Sequence, residues 1–157
     1  MPPDDSSPDS APAATGAPYG PSGRAGARRE AEITPPDRVK IVPKPWGEER
    51  WLAHTDRYAG KLLILKKGHR LSLQYHEHKH ETQYVDSGRI KYTLGSVDRP
   101  DEYEEFIAEA GTAVMLPPGA IHRMEALEDS RFFEVSTPEL TDVVRLDDDY
   151  GREGTSA

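Results

Sequence analysis

Short apolar or alternating segments, separated by turn residues, run along the chain from about residue 60 to its end. Lys61–Lys67 has an apolar Leu-Leu-Ile-Leu centre and predicts a buried strand that Gly68 closes. Arg70–His76 alternates, with Leu71 and Leu73 on one face and Gln74 and His76 on the other. Further strands are predicted at Glu81–Val85, Ile90–Leu94, Val114–Leu116, Ile121–Ala126, Arg131–Ser136 and Val143–Leu146. Strands at this spacing, with turn residues between them, predict an all-β sandwich or barrel.

The intervening segments carry weaker local signals. Ile121–Ala126 and Arg131–Ser136 are predicted to pair with each other across a turn at Glu128-Asp129. The acidic stretch Asp98–Glu105 is predicted to be a loop that leads to an edge strand. Helical periodicity is scarce, and the weak helix candidates are Asp37–Ile41 and Asp147–Tyr150.

Composition divides the chain into a tail and a body. Of the 157 residues, 35% are apolar, but residues 1–36 are rich in Pro, Ala, Ser and Gly, with Tyr19 and Ile33 as exceptions. Such a segment cannot bury enough surface to offset its ordering entropy. We therefore predict a disordered tail over residues 1–36, one folded domain over residues 37–152 and a disordered end over residues 153–157.

Charge and residue usage exclude several classes of function. The net charge of -8 argues against a nucleic-acid backbone as partner, since that would require a basic face. It does not exclude a small anionic substrate, because a pocket can be locally positive. The absence of cysteine excludes disulfides and thiolate metal sites. Neither a signal peptide nor an apolar run long enough to span a membrane is present, so we expect a cytoplasmic protein without a membrane partner.

Two segments place potential metal ligands between turns marked by glycine or proline. Gln74 and His76 share a strand face, whereas Glu81 has the opposite parity and reaches them only if residues 77–80 form a turn. Pro117-Pro118-Gly119 is expected to turn tightly and to deliver His122 onto the next strand. The two patterns are Gly68-x5-Gln74-x-His76-x4-Glu81-x6-Gly88 and Gly111-x5-Pro117-x-Gly119-x2-His122.

These four side chains suit a divalent metal ion with open coordination positions. Structural zinc sites are usually closed by four protein ligands, so an open set is typical of catalysis. Nitrogen and oxygen ligands fit Zn²⁺, Fe²⁺, Mn²⁺, Co²⁺ or Ni²⁺, and the sequence does not choose among them. An alternative is a stripe of His76, His78 and His80 on one strand face. The framing glycines favour the first set, while His54 and His69 are expected to be surface residues.

The two segments resemble the paired motifs of the cupin superfamily. Glutamine in place of the first histidine resembles the cupin mannose-6-phosphate isomerases, especially the C-terminal domain of bifunctional isomerase/guanylyltransferase enzymes. The chain departs from that family at residues 80–83, where an Ala-Glu-His-Trp pattern becomes His-Glu-Thr-Gln, and at Ala126, where Asn is usual. Other stretches between residues 44 and 152 agree with the family: Lys44-Pro-Trp-Gly47, Leu71-Ser-Leu-Gln74, Ser87-Gly88 with Lys91, His122-Arg123, Asp142-Val-Val-Arg145 and Asp149-Tyr-Gly-Arg152.

The resemblance implies a single cupin jelly-roll β-barrel that converts mannose 6-phosphate to fructose 6-phosphate through an enediol, with a divalent metal ion as Lewis acid. Glu81 and His78 are alternative candidates for the base. Lys91, Arg123 and Arg145 match family positions and are candidates for phosphate contact, with a surface salt bridge as the alternative for each. Another metal-dependent cupin enzyme, such as an oxygenase or lyase, and a non-catalytic metal- or sugar-binding module are the competing functions. Fold analogy favours a homodimer.

Overall fold

The computed structural model describes residues 31–152 and 154–155. The folded unit begins at Thr34, and its first element is a single 3-10 turn at Pro36–Arg38. Most of the predicted disordered tail, residues 1–30, lies outside the described residues, as do Glu153, Ser156 and Ala157. Within the predicted disordered end, Gly154–Thr155 pairs with the strand that holds Val144 and Arg145.

The described residues form two six-stranded antiparallel sheets and no α-helix. The first sheet has the order β1-β2-β3-β10-β5-β8, and the second has the order β12-β11-β4-β9-β6-β7. The strands are β1 Lys40–Lys44, β2 Gly47–His54, β3 Ala59–Leu65, β4 Leu73–Tyr75, β5 Glu81–Ser87, β6 Arg89–Ser96, β7 Arg99–Glu109, β8 Ala113–Leu116, β9 Ala120–Ala126, β10 Ser130–Ser136, β11 Val144–Asp147 and β12 Gly154–Thr155.

The core lies between the two sheets. Side chains alternate between the inner and outer face of each strand, as β3 shows by burying every second residue. The first sheet contributes Leu63, Phe132 and Val85, and the second contributes Ile90 and Tyr92 to one buried apolar cluster. Two sheets packed face to face around such a cluster form a jelly-roll barrel, so the all-β prediction is confirmed.

Two of the glycines in the sequence motifs fix turns that position the strands of the site. Gly88 joins β5 to β6 with φ +87°, and a Cβ atom there would lie 2.2 Å from Ser130 Oγ and 2.6 Å from the Asp129 carbonyl oxygen. Gly119 precedes β9 with φ +83° and donates its N–H to the His76 carbonyl oxygen at 2.8 Å. This second contact joins the two motifs directly, because it links the turn before β9 to the end of β4.

The predicted pairing of Ile121–Ala126 with Arg131–Ser136 is wrong. β9 pairs with β4 and β6 in the second sheet, whereas β10 pairs with β3 and β5 in the first. Residues 127–129 carry the chain from one sheet to the other instead of closing a hairpin. Two strands joined by a short connection can pair as a hairpin in one sheet, or they can lie in two sheets that pack against each other. The length of the connection does not distinguish these arrangements.

The predictions for the acidic stretch and for the two weak helices are also wrong. Residues 99–109 form β7, the edge strand of the second sheet, whose hydrogen-bonding partner β6 stabilises it despite its charged, exposed side chains. In the first predicted helix, Asp37–Ile41, only Asp37 and Arg38 belong to a 3-10 turn, and β1 begins at Lys40. In the second, Asp147–Tyr150, Asp147 is the last residue of β11. The β1–β2 hairpin around Trp46 was not predicted, because β2 mixes charged and apolar residues.

Candidate metal centre

His76, Glu81 and His122 converge inside the barrel from both sheets. His76 follows β4, His122 lies on β9 of the same sheet, and Glu81 opens β5 in the opposite sheet. Glu81 Oε1 lies 3.2 Å from His122 Nε2 and 3.8 Å from His76 Nε2. All three side chains are buried, and their potential ligand atoms lie within 4.8 Å of one another. The structure therefore brings together three of the four predicted ligands as a possible metal site.

The two imidazole rings present their Nε2 atoms to this centre. His122 Nδ1 lies 3.0 Å from the Ala120 carbonyl oxygen, and His76 Nδ1 is hydrogen-bonded to the Asp142 carbonyl oxygen. A carbonyl oxygen only accepts, so Nδ1 carries the proton in both rings, and in the neutral rings Nε2 keeps its lone pair. Burial lowers the pKa of His76 to about 4, although Glu81 opposes the effect. Both Nε2 atoms are buried without a hydrogen-bond partner, which fits two ligands of a metal ion.

The turn between His76 and Glu81 is held by Asp142, which the sequence reasoning did not assign to the site. The carboxylate of Asp142 accepts the N–H groups of Glu77, His78 and Lys79 at 3.0, 2.7 and 2.8 Å. Its carbonyl oxygen also accepts from the ring of His76. Asp142 thus fixes both the ring orientation of one ligand and the turn that leads to the next. The only early signal was its place in the Asp142-Val-Val-Arg145 stretch.

The same turn decides between the two interpretations of the histidines. His76 is buried, whereas His78 and His80 are exposed, so the three rings do not line one strand face. The predicted turn at residues 77–80 is confirmed, and the alternative histidine stripe is wrong. His78 lies at the outer side of the turn, where its backbone N–H is bound by Asp142.

Lys79 and Glu134 form a buried ion-pair network with Glu81 that the sequence reasoning missed. Lys79 Nζ lies against Glu81 Oε2 and 2.8 Å from Glu134 Oε1. Burial lowers the pKa of Lys79, but the two carboxylates outweigh it and the pKa is raised above its usual value. Burial raises the pKa of Glu81, yet His122 and Lys79 outweigh it and hold the pKa below its usual range. Lys79 therefore occupies the second oxygen of Glu81 and leaves Oε1 directed at the rings.

Gln83 and Tyr92 continue this network on the other side of Glu81. Gln83 Nε2 donates to Glu81 Oε1 at 3.1 Å, and Tyr92 Oη donates to Gln83 Oε1 at 2.8 Å. Burial, followed by the charge of Glu81, raises the pKa of Tyr92, so its hydroxyl stays a donor. The glutamine stands where the resembling family has tryptophan, and the departure at residues 80–83 therefore contacts the metal site itself.

Gln74 lies on β4, between His122 on β9 and Arg145 on β11, and thus beside the candidate metal site. Its Cα pairs with that of His122 on β9 and, on its other side, with that of Arg145 on β11. Residues directly opposite each other in antiparallel strands project to the same face of the sheet. The Gln74 side-chain oxygen accepts a hydrogen bond from Ser72 Oγ at 2.6 Å. Its role as a fourth ligand stays a prediction.

Arg145 is the one predicted phosphate contact that the structure brings to the site. It lines a cavity next to the candidate metal ligands, together with Gln74, His76, Lys79, Glu134 and Arg152. Trp46 belongs to the buried apolar cluster and also lines this cavity.

The structure does not bring Arg123 and Lys91 to this cavity. Arg123 Nε donates to the Leu71 carbonyl oxygen at 3.0 Å, and its Nη2 reaches the Asp147 carboxylate at 2.8 Å. Lys91 lies on the face of β6 opposite to the buried Tyr92, and its Nζ lies 3.0 Å from Glu125 Oε2. Both residues form ion pairs, the alternative weighed for them from the sequence.

Residues 36–148 match the protein family described as mannose-6-phosphate isomerase C-terminal. The chain belongs to this family. It is 33% identical over 117 residues to the mannose-1-phosphate guanylyltransferase of Escherichia coli K12, and 29% identical over 116 residues to the alginate biosynthesis protein AlgA of Pseudomonas aeruginosa. Each alignment covers 71% of this chain and 23% of the relative, so the chain spans about a quarter of the length of these proteins.

Solved structures of cupins share the fold. KdgF from Halomonas sp. superposes with a TM-score of 0.60 at 20% identity, covering 70% of this chain and 96% of that one. Oxalate decarboxylase from Bacillus subtilis, described with Mn(II) centres, superposes with a TM-score of 0.60 at 22% identity over 69% of this chain and 31% of its own. These similarities confirm the cupin barrel. Within the described residues there is no helix long and apolar enough to span a bilayer.

Proposed function

We propose that this protein is a metal-dependent aldose–ketose isomerase that interconverts mannose 6-phosphate and fructose 6-phosphate. One observation carries the proposal: the buried Nε2 atoms of His76 and His122 and the carboxylate of Glu81 face one point in a barrel of the mannose-6-phosphate isomerase C-terminal family. Three such ligands leave coordination positions open for substrate oxygens, as catalytic metal sites do.

The residues present fit a divalent cation. His76 and His122 would bind through Nε2 and Glu81 through Oε1, with the Gln74 amide as the proposed fourth ligand. The bound ion would supply Lewis-acid polarisation of the carbonyl and hydroxyl oxygens of an open-chain sugar. Zn²⁺, Fe²⁺, Mn²⁺, Co²⁺ and Ni²⁺ all suit nitrogen and oxygen donors.

The proton transfer between C1 and C2 requires a base within hydrogen-bond reach. Glu81 is poorly placed for this role, because Oε1 faces the histidines and Oε2 is paired with Lys79. Glu134 lines the cavity, and burial, followed by the charge of Glu81, raises its pKa, which favours uptake of a proton by this carboxylate. His78 stays the second candidate, as an exposed side chain on the turn between two ligands.

Isomerisation in D2O tests the proposal directly. Protein reconstituted with each of the five metal ions is incubated with mannose 6-phosphate and followed by NMR. We expect fructose 6-phosphate to form and deuterium to enter at C1 of the product and C2 of the recovered substrate. His122→Ala should abolish both signals, whereas His69→Ala should retain them, because His69 is outside the cavity and its ring contacts the Lys67 carbonyl oxygen. Metal-loaded protein that gives neither product nor exchange with any of the five ions would refute the proposal.

Two further variants separate the candidate bases. Glu134→Gln and His78→Ala are each compared with wild type for metal content and for kcat. Loss of a general base lowers kcat by about 10²- to 10⁴-fold. The base is the residue whose replacement lowers kcat by that factor while the metal content stays at the wild-type level. If neither variant does so, both assignments are wrong.

Gln83 favours a second candidate function at the same centre. Because it replaces the family tryptophan and contacts Glu81, the surroundings of the metal ion differ from those of the resembling isomerases. A different metal-dependent cupin reaction, such as an oxygenase or lyase, would use the same open site, as would a non-catalytic sugar-binding module. Oxygen uptake with Fe²⁺ identifies the oxygenase, and binding of mannose 6-phosphate without turnover identifies the module.

A further inference from the structure

Cationic side chains from three separate parts of the chain line the cavity. Lys44 ends β1, Arg145 lies on β11, and Arg152 follows the last turn before β12. The chain as a whole carries a net charge of -8, so a cavity lined by several cations differs in charge from the average of the chain. Such a local excess of positive charge attracts anions.

Two lysines at the cavity share one carboxylate. Glu49 is the carboxylate nearest to Lys44, at 3.6 Å, and it is also bound by Lys61 at 3.3 Å. Asp148 is paired with Arg152. Lys44 and Lys61 share the single carboxylate of Glu49, so that carboxylate does not neutralise both lysines.

Arg152 is held in a fixed orientation. The buried Asp148 carboxylate accepts its Nε and Nη2 groups, both at 2.9 Å, and also its backbone N–H at 2.8 Å. The guanidinium carbon lies 5.3 Å from the centroid of the Tyr150 ring. Asp148 engages one edge of the guanidinium, which has five N–H donors in total. A guanidinium fixed along one edge loses less entropy when it binds a phosphate.

Arg145 stands close to Arg152 and at a suitable distance from the metal centre. Burial lowers the pKa of Arg145, and the positive charge of Arg152 lowers it further, an effect that an anion between them would relieve. Arg145, Gln74 and His122 lie opposite one another on adjacent strands, so the backbones of Arg145 and His122 are about 10 Å apart. An extended hexose 6-phosphate spans about 7 Å from C2 to phosphorus, given bonds of about 1.5 Å. An arginine side chain readily closes the difference.

We propose that Arg145, Arg152 and Lys44 form a subsite for the phosphate group of the substrate. Of the three candidates that the family resemblance suggested, Lys91, Arg123 and Arg145, this subsite keeps only Arg145. The inference rests on the proposed sugar-phosphate function and adds which residues recognise the phosphate. Arg123 is engaged by main-chain and carboxylate oxygens, and Lys91 faces away from the barrel interior, so neither lines the cavity.

Phosphate binding is measured separately from catalysis. Inorganic phosphate and mannose 6-phosphate are titrated into the full chain by calorimetry, and free mannose is titrated into the metal-loaded protein. Arg145→Gln, Arg152→Gln and Lys44→Gln should each weaken binding of both phosphates by about 10- to 100-fold, since each removes a hydrogen bond to a charged group. Binding of free mannose should not change. Arg89→Gln is the matched control, because Arg89 is exposed and pairs with Glu109 outside the cavity.

A double variant tests whether a folding defect causes the loss of affinity in Arg152→Gln. Arg152→Gln leaves the Asp148 carboxylate buried without its partner, whereas Asp148→Asn combined with Arg152→Gln removes both charges. The double variant is expected to melt cooperatively and to show the same loss of phosphate affinity. Retained phosphate affinity in a folded double variant would overturn the assignment of Arg152.

The outcomes distinguish this inference from the proposed function. Phosphate binding that survives in the three cavity variants but is lost in Lys91→Gln and Arg123→Gln would overturn the inference and return the subsite to those residues. Wild-type protein that binds no phosphate would also overturn it, even if isomerisation were observed. Phosphate binding that is lost in the three cavity variants, in a protein without isomerase activity, would refute the proposed function and leave the subsite standing.

Discussion

Replacing His122 with alanine is expected to remove most of the stabilisation that divalent metal ions give this protein. His122 is 1% exposed, and its Nε2 atom, like that of His76, has no hydrogen-bond partner. A buried polar atom without a partner costs about 1–3 kcal/mol. A bound ion would satisfy both nitrogen atoms at once, so binding and folding are coupled.

The size of the effect follows from the size of the folded body. An ion at one hundred times its dissociation constant stabilises the folded state by about 2.7 kcal/mol if it does not bind the unfolded chain. The described body has about 120 residues, and at about 2.1 cal/mol/K per residue its unfolding entropy gives a rise in Tm of about 10 °C. If loss of one ligand weakens binding by about 100-fold, the same metal concentration gives about 0.4 kcal/mol and about 2 °C.

The assay is thermal unfolding of chelator-treated protein with and without each metal ion, combined with elemental analysis of bound metal. The metal-induced shift in Tm is compared between variants, because His122→Ala also changes the stability of the metal-free protein. His69→Ala is the control and should shift as wild type does, since its ring lies outside the barrel interior. Equal shifts in wild type, His76→Ala and His122→Ala, with full metal content in all three, would show that the ligand assignment is wrong.

Three further predictions concern folding of the metal-free protein, measured by urea unfolding. Lys79→Met should destabilise it by about 3–5 kcal/mol, because two buried carboxylates lose their shared cation, and a loss below about 1 kcal/mol would contradict the network. Gly88→Ala should cost at least about 1 kcal/mol more than Gly111→Ala, since both have positive φ but only Gly88 is crowded by neighbouring atoms; equal losses would contradict the crowding. The hydrogen bond from Arg152 lowers the pKa of Asp148 below 3.8, so its stabilisation is complete above that pH and is lost as pH falls through the lowered value. The difference in unfolding free energy between wild type and Arg152→Gln should therefore shrink between about pH 5 and pH 2, and a constant difference would refute the linkage.

The convergence of His76, Glu81 and His122 was predictable because the sequence signals are local. The turn between His76 and Glu81 follows from strand parity over six residues, and the turn before His122 follows from its prolines and glycine. Asp142 and Glu134 were not predictable in the same way. Their partners, the turn at residues 77–79 and Lys79, are more than fifty positions away in sequence. Only the packing of the two sheets brings these groups together.

Strand parity also held information about the phosphate contacts that the family resemblance obscured. Adjacent residues on a strand face opposite sides of the sheet. If His122 points into the barrel, Arg123 must point away from it, and the same reasoning separates Lys91 from the buried Tyr92. The pairing of Arg145 with Gln74, by contrast, depends on β11 lying beside β4, which no local pattern indicates. Parity therefore excludes Arg123 once His122 is taken to point inward, and it excludes Lys91 once Tyr92 is known to be buried, while Arg145 needs the topology.

The barrel combines one group of side chains that suits a cation with another that suits an anion. Glu81, Glu134 and Lys79 together carry one negative charge beside two buried Nε2 atoms, and this arrangement attracts a divalent ion. With that ion bound, the same group would carry one positive charge, and the proposed phosphate subsite is also lined by cations. A sugar phosphate would then contact positive charge at both of its ends, because the paired residues Arg145, Gln74 and His122 connect the two groups. Removal of the metal ion should therefore weaken binding of mannose 6-phosphate more than binding of inorganic phosphate, because only the longer ligand contacts both groups.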